Sequence, residues 1–262
     1  MDREKILQRF ELETERLTAG ILLDKITQVE ESNKTALTDF LDPSQQRTAD
    51  RVIHLFKDMK SITWGGFPGA ERARISLFPS IKQSSADDIA LACVEVNAGA
   101  VATELTHRDF LGAILGLGLR REKVGDILLA GDGRAQVVVH PDILPYLCAH
   151  WRDVGKYSVS IKEIPTSELT PVEPRTREVK TTVASLRLDS VASSGFGLSR
   201  SKLTPAIRAG HVKLNWQTAK SASATVKEGD MISIAGRGRV EVAQVLGESK
   251  KGRIGLLLKK HV

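Results

Sequence analysis

Three prolines lie within ten residues of each other, at positions 165, 171 and 174, in a segment with little apolar content. Proline lacks a backbone donor and fixes its own φ, so such a segment cannot form a helix interior or a central strand. A polar stretch of this kind is typical of a linker between folded parts. We therefore predict a linker at 166–180, and the 262 residues leave room for two or three small domains around it.

The two sides of this linker differ in charge. Residues 1–180 hold 24 lysines and arginines against 27 aspartates and glutamates, whereas residues 181–262 hold 14 against 5, a net charge of +9. An excess of cations attracts polyanions, which makes nucleic acid the first partner class for the last third of the chain. An anionic membrane surface is the second class, but it would require the cations on one amphipathic helix. Here they are spread over short helices, strands and turns.

The sequence offers no signal for export, membrane insertion or metal binding. The first five residues carry charges of both signs, unlike a secretion signal, so we expect a cytoplasmic protein. The longest nearly apolar stretch, 110–119, has ten residues, about half of what a membrane-spanning helix needs. Cys93 and Cys148 lie 55 positions apart without neighbouring ligands, so we predict no disulfide framework, no metal and no cofactor.

The first seventy residues show a helical pattern. Apolar residues recur at helical spacing from Ile6 to Ile21, and Asp42 followed by Pro43 marks the start of a second helix. The glycines and the proline of 64–69 cannot continue that helix. We predict a helical N-terminal region at 1–70.

The next ninety-five residues alternate between strand and helix patterns. Turn residues at 131–134 join two strands as a hairpin, and Thr106 with Asp109 resembles a capping box at a helix start. The resulting order is β-β-α-β-β-α-β, typical of an α/β plait. We predict an α/β-plait-like (RRM-like) middle domain at 71–165, whose elements are a strand at 74–78, a strand at 89–96, a helix from 106, the hairpin, a helix at 141–151 and a strand at 157–164.

The last third contains two short helical patterns followed by alternating strands. A set of residues occurs here in a fixed order: Arg187-Leu188-Asp189, Gly195, Ser199-Arg200, Ile207, Gly210, Val212-Lys213-Leu214-Asn215 and Gly229-Asp230. In order and spacing this set resembles the S4 RNA-binding domain. Trp216 departs from it because many S4 domains have glycine there, and Pro205 falls inside the second helix. We predict an S4 domain of two short helices plus a small β-sheet at 181–262, ending in a C-terminal β-hairpin. Taken together, the three parts predict an α+β fold class for the chain.

Further motifs resemble one family of bacterial S4-domain proteins, the YlmH family. They are Gly65-Gly66 with Gly69-Ala70-Glu71-Arg72, the run from Leu105 to Gly112, the run from Leu117 to Ile127, and the ending from Gly247 to Arg253. The resemblance implies a ribosome-associated RNA-binding protein. It also implies binding to large ribosomal subunits that hold peptidyl-tRNA, help with C-terminal tailing of the unfinished chain, and a link to cell division.

Enzymatic chemistry finds little support in the sequence. His107-Arg108-Asp109 matches a kinase triplet, but the other kinase motifs do not accompany it. The enzyme domains that accompany S4 domains elsewhere follow them, and here only about twenty residues remain. We see no paired carboxylates and no nucleophile with a base at a supporting spacing, so we predict a protein that is not an enzyme.

The candidate RNA-binding residues are cations and their neighbours. Arginine suits phosphate because its planar fork donates two parallel bonds. Asp189 is interpreted as a structural residue that orients Arg187 or caps a helix. Strand alternation places Trp216 in the core, and aromatic residues, at 5% of the chain, do not recur as a stacking platform would require. Ordinary surface charge is the competing interpretation for the loop and middle-domain cations. The candidates are Arg187, Ser199, Arg200, Ser201, Lys202, Lys213, Asn215, Arg237, Arg239, Lys250, Lys251 and Arg253 in the last third, and Arg72, Arg74, His107, Arg108, Arg120 and Arg121 in the middle domain.

Two functions follow as hypotheses. The first is a non-enzymatic protein that docks on rRNA of the large subunit and on peptidyl-tRNA, and that assists rescue of stalled ribosomes. The second is a ribosome- or septum-associated scaffold that recruits a protein partner, such as a cell-division protein.

Overall fold

The computed structural model describes residues 2–171, 176–248 and 252–261. The chain forms two compact units, 1–172 and 173–262, called here the first unit and the second unit. No helix among the described residues is both long enough and apolar enough to cross a bilayer.

The N-terminal part of the first unit packs three helices on a small antiparallel sheet. Its core is formed by buried residues such as Leu22, Ile26, Val52 and Ile75. The elements are α1 (Arg3–Leu7), α2 (Glu13–Ser32), β1 (Ala36–Leu37), α3 (Pro43–Ile53), β2 (Met59–Trp64) and β3 (Arg74–Pro79), with sheet order β1-β3-β2.

The sequence predicted the start of α3 correctly. Asp42 is its N-cap and accepts hydrogen bonds from the backbone N–H groups of Ser44 and Gln45, while the Gln45 side chain accepts from the Asp42 N–H. Pro43 lies at the first helical position. The predicted assignment of 74–78 to the plait is wrong, because β3 pairs with β1 and β2 instead. The N-terminal part therefore extends past residue 70.

The middle part is a four-stranded antiparallel sheet with two helices on one face. The elements are β4 (Ala92–Asn97), α4 (His107–Gly116), β5 (Val124–Gly131), β6 (Arg134–Val139), α5 (Leu144–His150), the short pair β7 (Asp153–Val154) and β8 (Tyr157–Ser158), and β9 (Ser160–Ile164). The sheet order is β5-β6-β4-β9. The chain order β-α-β-β-α-β is that of a ferredoxin-like plait. Phe110, Ile114, Leu147 and Trp151 fill the space between helices and sheet.

The other face of this sheet is partly covered by the chain itself. Phe40, Phe67 and Leu169 are buried against it. Gln136, only 6% exposed, donates to the Glu168 carbonyl at 3.0 Å and accepts from the Thr170 N–H at 2.8 Å. The segment after β9, predicted as the start of a linker, is thus packed onto the sheet because its backbone finds partners there.

The second unit places two helices on a six-stranded antiparallel sheet. The elements are β10 (Thr176–Val183), α6 (Leu188–Phe196), α7 (Arg200–Arg208), β11 (Val212–Leu214), β12 (Gln217–Thr218), β13 (Met231–Ile234), β14 (Gly238–Glu248) and β15 (Ile254–His261). The sheet order is β10-β15-β14-β13-β11-β12. The strands β14 and β15 form the predicted C-terminal hairpin. The linker prediction is wrong at its end, since β10 already begins at Thr176.

Trp216 does not lie in the core face of a strand, contrary to the alternation. β11 ends at Leu214, and Asn215 and Trp216 follow with φ of 52° and 66°. This left-handed turn leads into β12 and favours glycine because a Cβ is strained there. The glycine that many S4 domains carry at the position of Trp216 therefore suits the turn.

Candidate RNA-binding surface

The first turn of α6 holds an arginine by a buried carboxylate. Arg187 is the N-cap residue, and its Nε and one terminal nitrogen donate to the two Asp189 oxygens at 3.1 and 3.0 Å. The Asp189 side chain is 11% exposed and that of Arg187 48%. The hydrogen bond from Arg187 lowers the pKa of Asp189, so the carboxylate is ionised at neutral pH. As predicted, Asp189 orients Arg187; the remaining guanidinium donors of Arg187 are left for other partners.

A second arginine reaches the same turn from α7. Arg200 is the first residue of that helix, and a terminal nitrogen of its guanidinium donates to Ser190 Oγ at 2.6 Å. Its positive charge also contributes to the lowered pKa of Asp189. Ser190 is the residue that the sequence analysis missed. Its position next to Asp189 is the only signal of its role.

The start of α7 is electropositive. Its first turn contains no acidic residue, and Arg200 and Lys202 are exposed there. Ser199 is the N-cap residue, but its hydroxyl bonds with Ser201 Oγ at 2.8 Å and not with a backbone N–H. The partial positive charge of a helix N-terminus favours a phosphate at such a place.

The other candidates of the second unit do not all join this surface. Val212 belongs to the core, so the alternating side chain of Lys213 points to the sheet face that lies opposite the helices. Arg239 pairs with Ser233, which pairs with Lys213, and lies on that same outer face. Burial lowers the pKa of Arg239.

Two further candidates have structural partners. The Asn215 amide donates to Asp230 Oδ1 at 2.7 Å and its oxygen accepts from the Met231 N–H at 2.9 Å, so its side chain holds the turn. Arg253 donates to the hydroxyl and the carbonyl of Thr182. Arg237 is exposed in the turn between β13 and β14. Lys250 and Lys251 lie outside the described residues.

Two middle-domain candidates serve the fold instead of a surface. Arg72 donates to the carbonyls of Phe40 and Val124 at 2.9 Å and of Arg121 at 3.3 Å. Arg74 is 4% exposed and donates to the carbonyls of Thr38 and Ala90. Burial lowers the pKa of both groups. We therefore withdraw Arg72 and Arg74 as RNA contacts, because buried carbonyls already use their donors.

The remaining middle-domain candidates lie near the ends of α4. His107 and Arg108 are exposed at its start. Partial desolvation of the His107 ring by its neighbours, followed by the charge of Arg121, lowers the pKa of His107. Arg121 donates to the carbonyls of Val124 and Gly125, and burial, together with the charge of Arg72, lowers its pKa to about 10. The Arg120 side chain is 73% exposed and 4.0 Å from Asp39. Arg120 is therefore exposed to solvent, whereas its neighbour Arg121 is bound to backbone carbonyls.

Within the described ranges, no three histidine, cysteine, aspartate or glutamate side chains cluster as metal ligands. Cys93 is buried and Cys148 exposed, and burial raises the pKa of the Cys93 thiol to about 11.

Comparisons with known proteins match most of the chain. Family models match residues 15–80 (YlmH, N-terminal), 84–168 (putative RNA-binding domain in YlmH) and 186–232 (S4 domain). The ribosome-associated protein quality control protein P2 of Bacillus subtilis is 36% identical over 227 residues, which are 86% of this chain and 87% of that protein.

A solved structure resembles part of the chain. It is that of the cell division protein ylmH from Streptococcus pneumoniae, with a TM-score of 0.52 and 26% identity over 61% of this chain and 96% of the other. The chain belongs to the YlmH family of S4-domain proteins.

Proposed function

We propose that this protein is a non-enzymatic RNA-binding protein that docks on the large ribosomal subunit through the surface formed by Arg187, Arg200 and Lys202, called here the α6–α7 surface. There it contacts rRNA and peptidyl-tRNA, and it assists rescue of stalled ribosomes and C-terminal tailing of the nascent chain. The S4 match and the name of the Bacillus subtilis relative support this proposal. We further propose that it works in the cytoplasm.

The observation that carries the proposal is the convergence of Arg187 and Arg200 on one helix turn. Each guanidinium is fixed by one partner, Asp189 or Ser190, and has further donors on a side chain that is exposed. A guanidinium held in place loses less side-chain freedom when it binds a phosphate. Lys202 and the N-terminus of α7 add positive charge beside them. This arrangement suits phosphates of a folded RNA.

Exposed side chains at the start of α4 and after its end form a second proposed contact. His107, Arg108 and Arg120 are exposed. The family model for this part is described as a putative RNA-binding domain. The outer face of its sheet carries Glu95 beside Asn97, Arg134 and Lys162. The four strands contain no aromatic residue, which argues against stacking of single-stranded bases there.

The test is binding to purified large subunits and rRNA fragments by filter retention at several salt concentrations. We expect the logarithm of affinity to fall by ~0.7 to 0.9 per phosphate contact for each decade of salt. Arg187→Ala and Arg200→Ala should each weaken binding roughly tenfold, and the lysine variants should recover only part of the loss. Lys259→Ala is the matched control, because Lys259 lies in β15 opposite Glu178 and Glu241. Salt-insensitive binding, or loss in the control alone, would overturn the proposal.

The second candidate function is a scaffold for a cell-division protein. The name of the Streptococcus pneumoniae structure favours it. Sedimentation of lysate through sucrose gradients separates the two candidates. Residence on free large subunits supports rescue, whereas absence from every ribosomal fraction supports the scaffold.

A further inference from the structure

A groove of about 630 Å³ runs along α2 in the first unit. One wall is formed by side chains of α2, among them Leu17, Ile21 and Lys25. The other wall contains Asp39, from the segment after β1, with Arg120 and Lys123, which precede β5.

The α2 wall carries two exposed apolar side chains among Thr14, Thr18 and Lys25. Leu17 is 63% exposed and Ile21 is 49% exposed, and both lie beside the helix face that packs into the core. They lie one turn apart on the same side of α2. A single exposed apolar side chain is common on protein surfaces. Leu17 and Ile21, however, lie next to each other in one groove and form a continuous apolar strip.

The opposite wall carries cations and carboxylates together. Asp39 contacts Lys123 at 2.7 Å, His140 at 3.7 Å and Arg120 at 4.0 Å, and Asp142 lies 3.9 Å from Lys123 and 3.3 Å from His140. Burial, followed by the charges of Arg74 and Lys123, lowers the pKa of His140, which is therefore neutral at pH 7. The charged lining residues are Lys25, Arg74, Arg120 and Lys123 against Asp39 and Glu122.

We propose that this groove binds an acidic amphipathic helix of a protein partner. The apolar face of such a helix would cover Leu17 and Ile21, and its carboxylates would meet Lys25 and Arg120. The distance from Leu17 to Lys25 along α2 is about 12 Å, so two to three turns of the partner fill the groove. RNA fits less well, because it would leave the leucine and isoleucine uncovered and face two carboxylates. The site is separate from the α6–α7 surface and adds a partner of another class.

The test uses the full chain and a fluorescent 14-residue helical peptide with leucines at i, i+4, i+7 and i+11 and glutamates flanking them. We expect binding with a dissociation constant below about 100 μM. Leu17→Glu and Ile21→Glu should each weaken it at least tenfold. Ile81→Glu is the matched control, because Ile81 is 84% exposed in the same unit and lies away from the groove. Equal thermal melts of the three variants exclude unfolding.

A charge swap makes the test independent of the apolar contacts. Lys25→Glu should weaken the glutamate peptide and strengthen binding of a matched lysine peptide. Absence of peptide binding, or equal loss in Ile81→Glu, would overturn the proposal. So would tighter binding of a ten-nucleotide oligouridylate that Ile21→Glu abolishes, because it would make the groove a nucleic-acid site. Leu17→Glu should bind large subunits like the parent, so failure here is distinguishable from failure of the ribosomal proposal.

Discussion

Replacing Arg72 with alanine should destabilise the first unit and leave RNA affinity unchanged. Its guanidinium joins the carbonyl of Phe40 to the carbonyls of Arg121 and Val124, which belong to a segment far from Phe40 in sequence. A hydrogen bond from a charged donor contributes about 1.5 to 3 kcal/mol. Bonds that share one group are not additive, so we expect a loss of about 3 to 5 kcal/mol for the set. With an m-value of about 2 kcal/mol/M, the urea midpoint falls by roughly 2 M.

Tryptophan fluorescence in a Trp216→Phe background is the assay, because the two remaining tryptophans, Trp64 and Trp151, both lie in the first unit. Arg72→Lys keeps the charge but cannot span three carbonyls, so its midpoint should fall nearly as far. Arg108→Ala, at an exposed position, should unfold like the parent within about 0.5 kcal/mol. If Arg72→Ala keeps the parent midpoint and loses RNA affinity, the guanidinium faces RNA and our placement is wrong.

Three further predictions concern the backbone and one carboxylate. Gly112→Ala should raise the urea midpoint by the equivalent of about 1 kcal/mol, since an added Cβ in α4 meets nothing within 4 Å. Gly65→Ala should lower the urea midpoint, because its Cβ would clash with the Arg72 carbonyl oxygen. Trp216→Gly should be more stable than Trp216→Ala by about 1 kcal/mol in thermal melts, as φ is 66° there; equal melting temperatures would contradict this. Asp189 has a folded pKa below its ordinary 3.8, so its contribution to stability is present above that pH and is lost as pH falls through the folded pKa. Asp189→Asn should therefore flatten the fall in urea midpoint between pH 5 and about pH 2, and an unchanged slope would refute the assignment.

Local signals in the sequence predict where a helix or strand begins better than they predict which strand it pairs with. The start of α3 follows from Asp42 and Pro43 alone, because capping is decided within one turn. The pairing of β3 with β1 joins residues about forty positions apart, and the alternation of 74–78 carries no information about which strand lies beside it. The conformation at Trp216 was missed for a related reason. Its side chain fits a strand pattern, while its φ is set by the turn that closes onto β12.

The positions of the candidate arginines show why positive charge alone does not distinguish proposed RNA contacts from arginines that bind the chain's own carbonyls. A guanidinium offers five donors, and a folded chain supplies carbonyl acceptors as readily as RNA supplies phosphates. Arg72 and Arg74 follow the glycine turn at 65–69 and lie where segments of the first unit meet, so buried carbonyls bind them. Arg187 and Arg200 stand at the N-termini of helices, where backbone N–H groups and not carbonyls are unpaired.

Position at a helix start thus distinguishes Arg187 and Arg200 from Arg72 and Arg74. An arginine at a helix start adds its charge to the positive end of the helix dipole, which disfavours it unless an anion is present. Asp189 supplies one negative charge to the pair Arg187 and Arg200, and the hydrogen bond that lowers its pKa keeps that charge in place. One carboxylate cannot neutralise two guanidiniums and two helix termini. The α6–α7 surface therefore retains an excess of positive charge, which is the charge that the phosphates of the proposed RNA partner would neutralise.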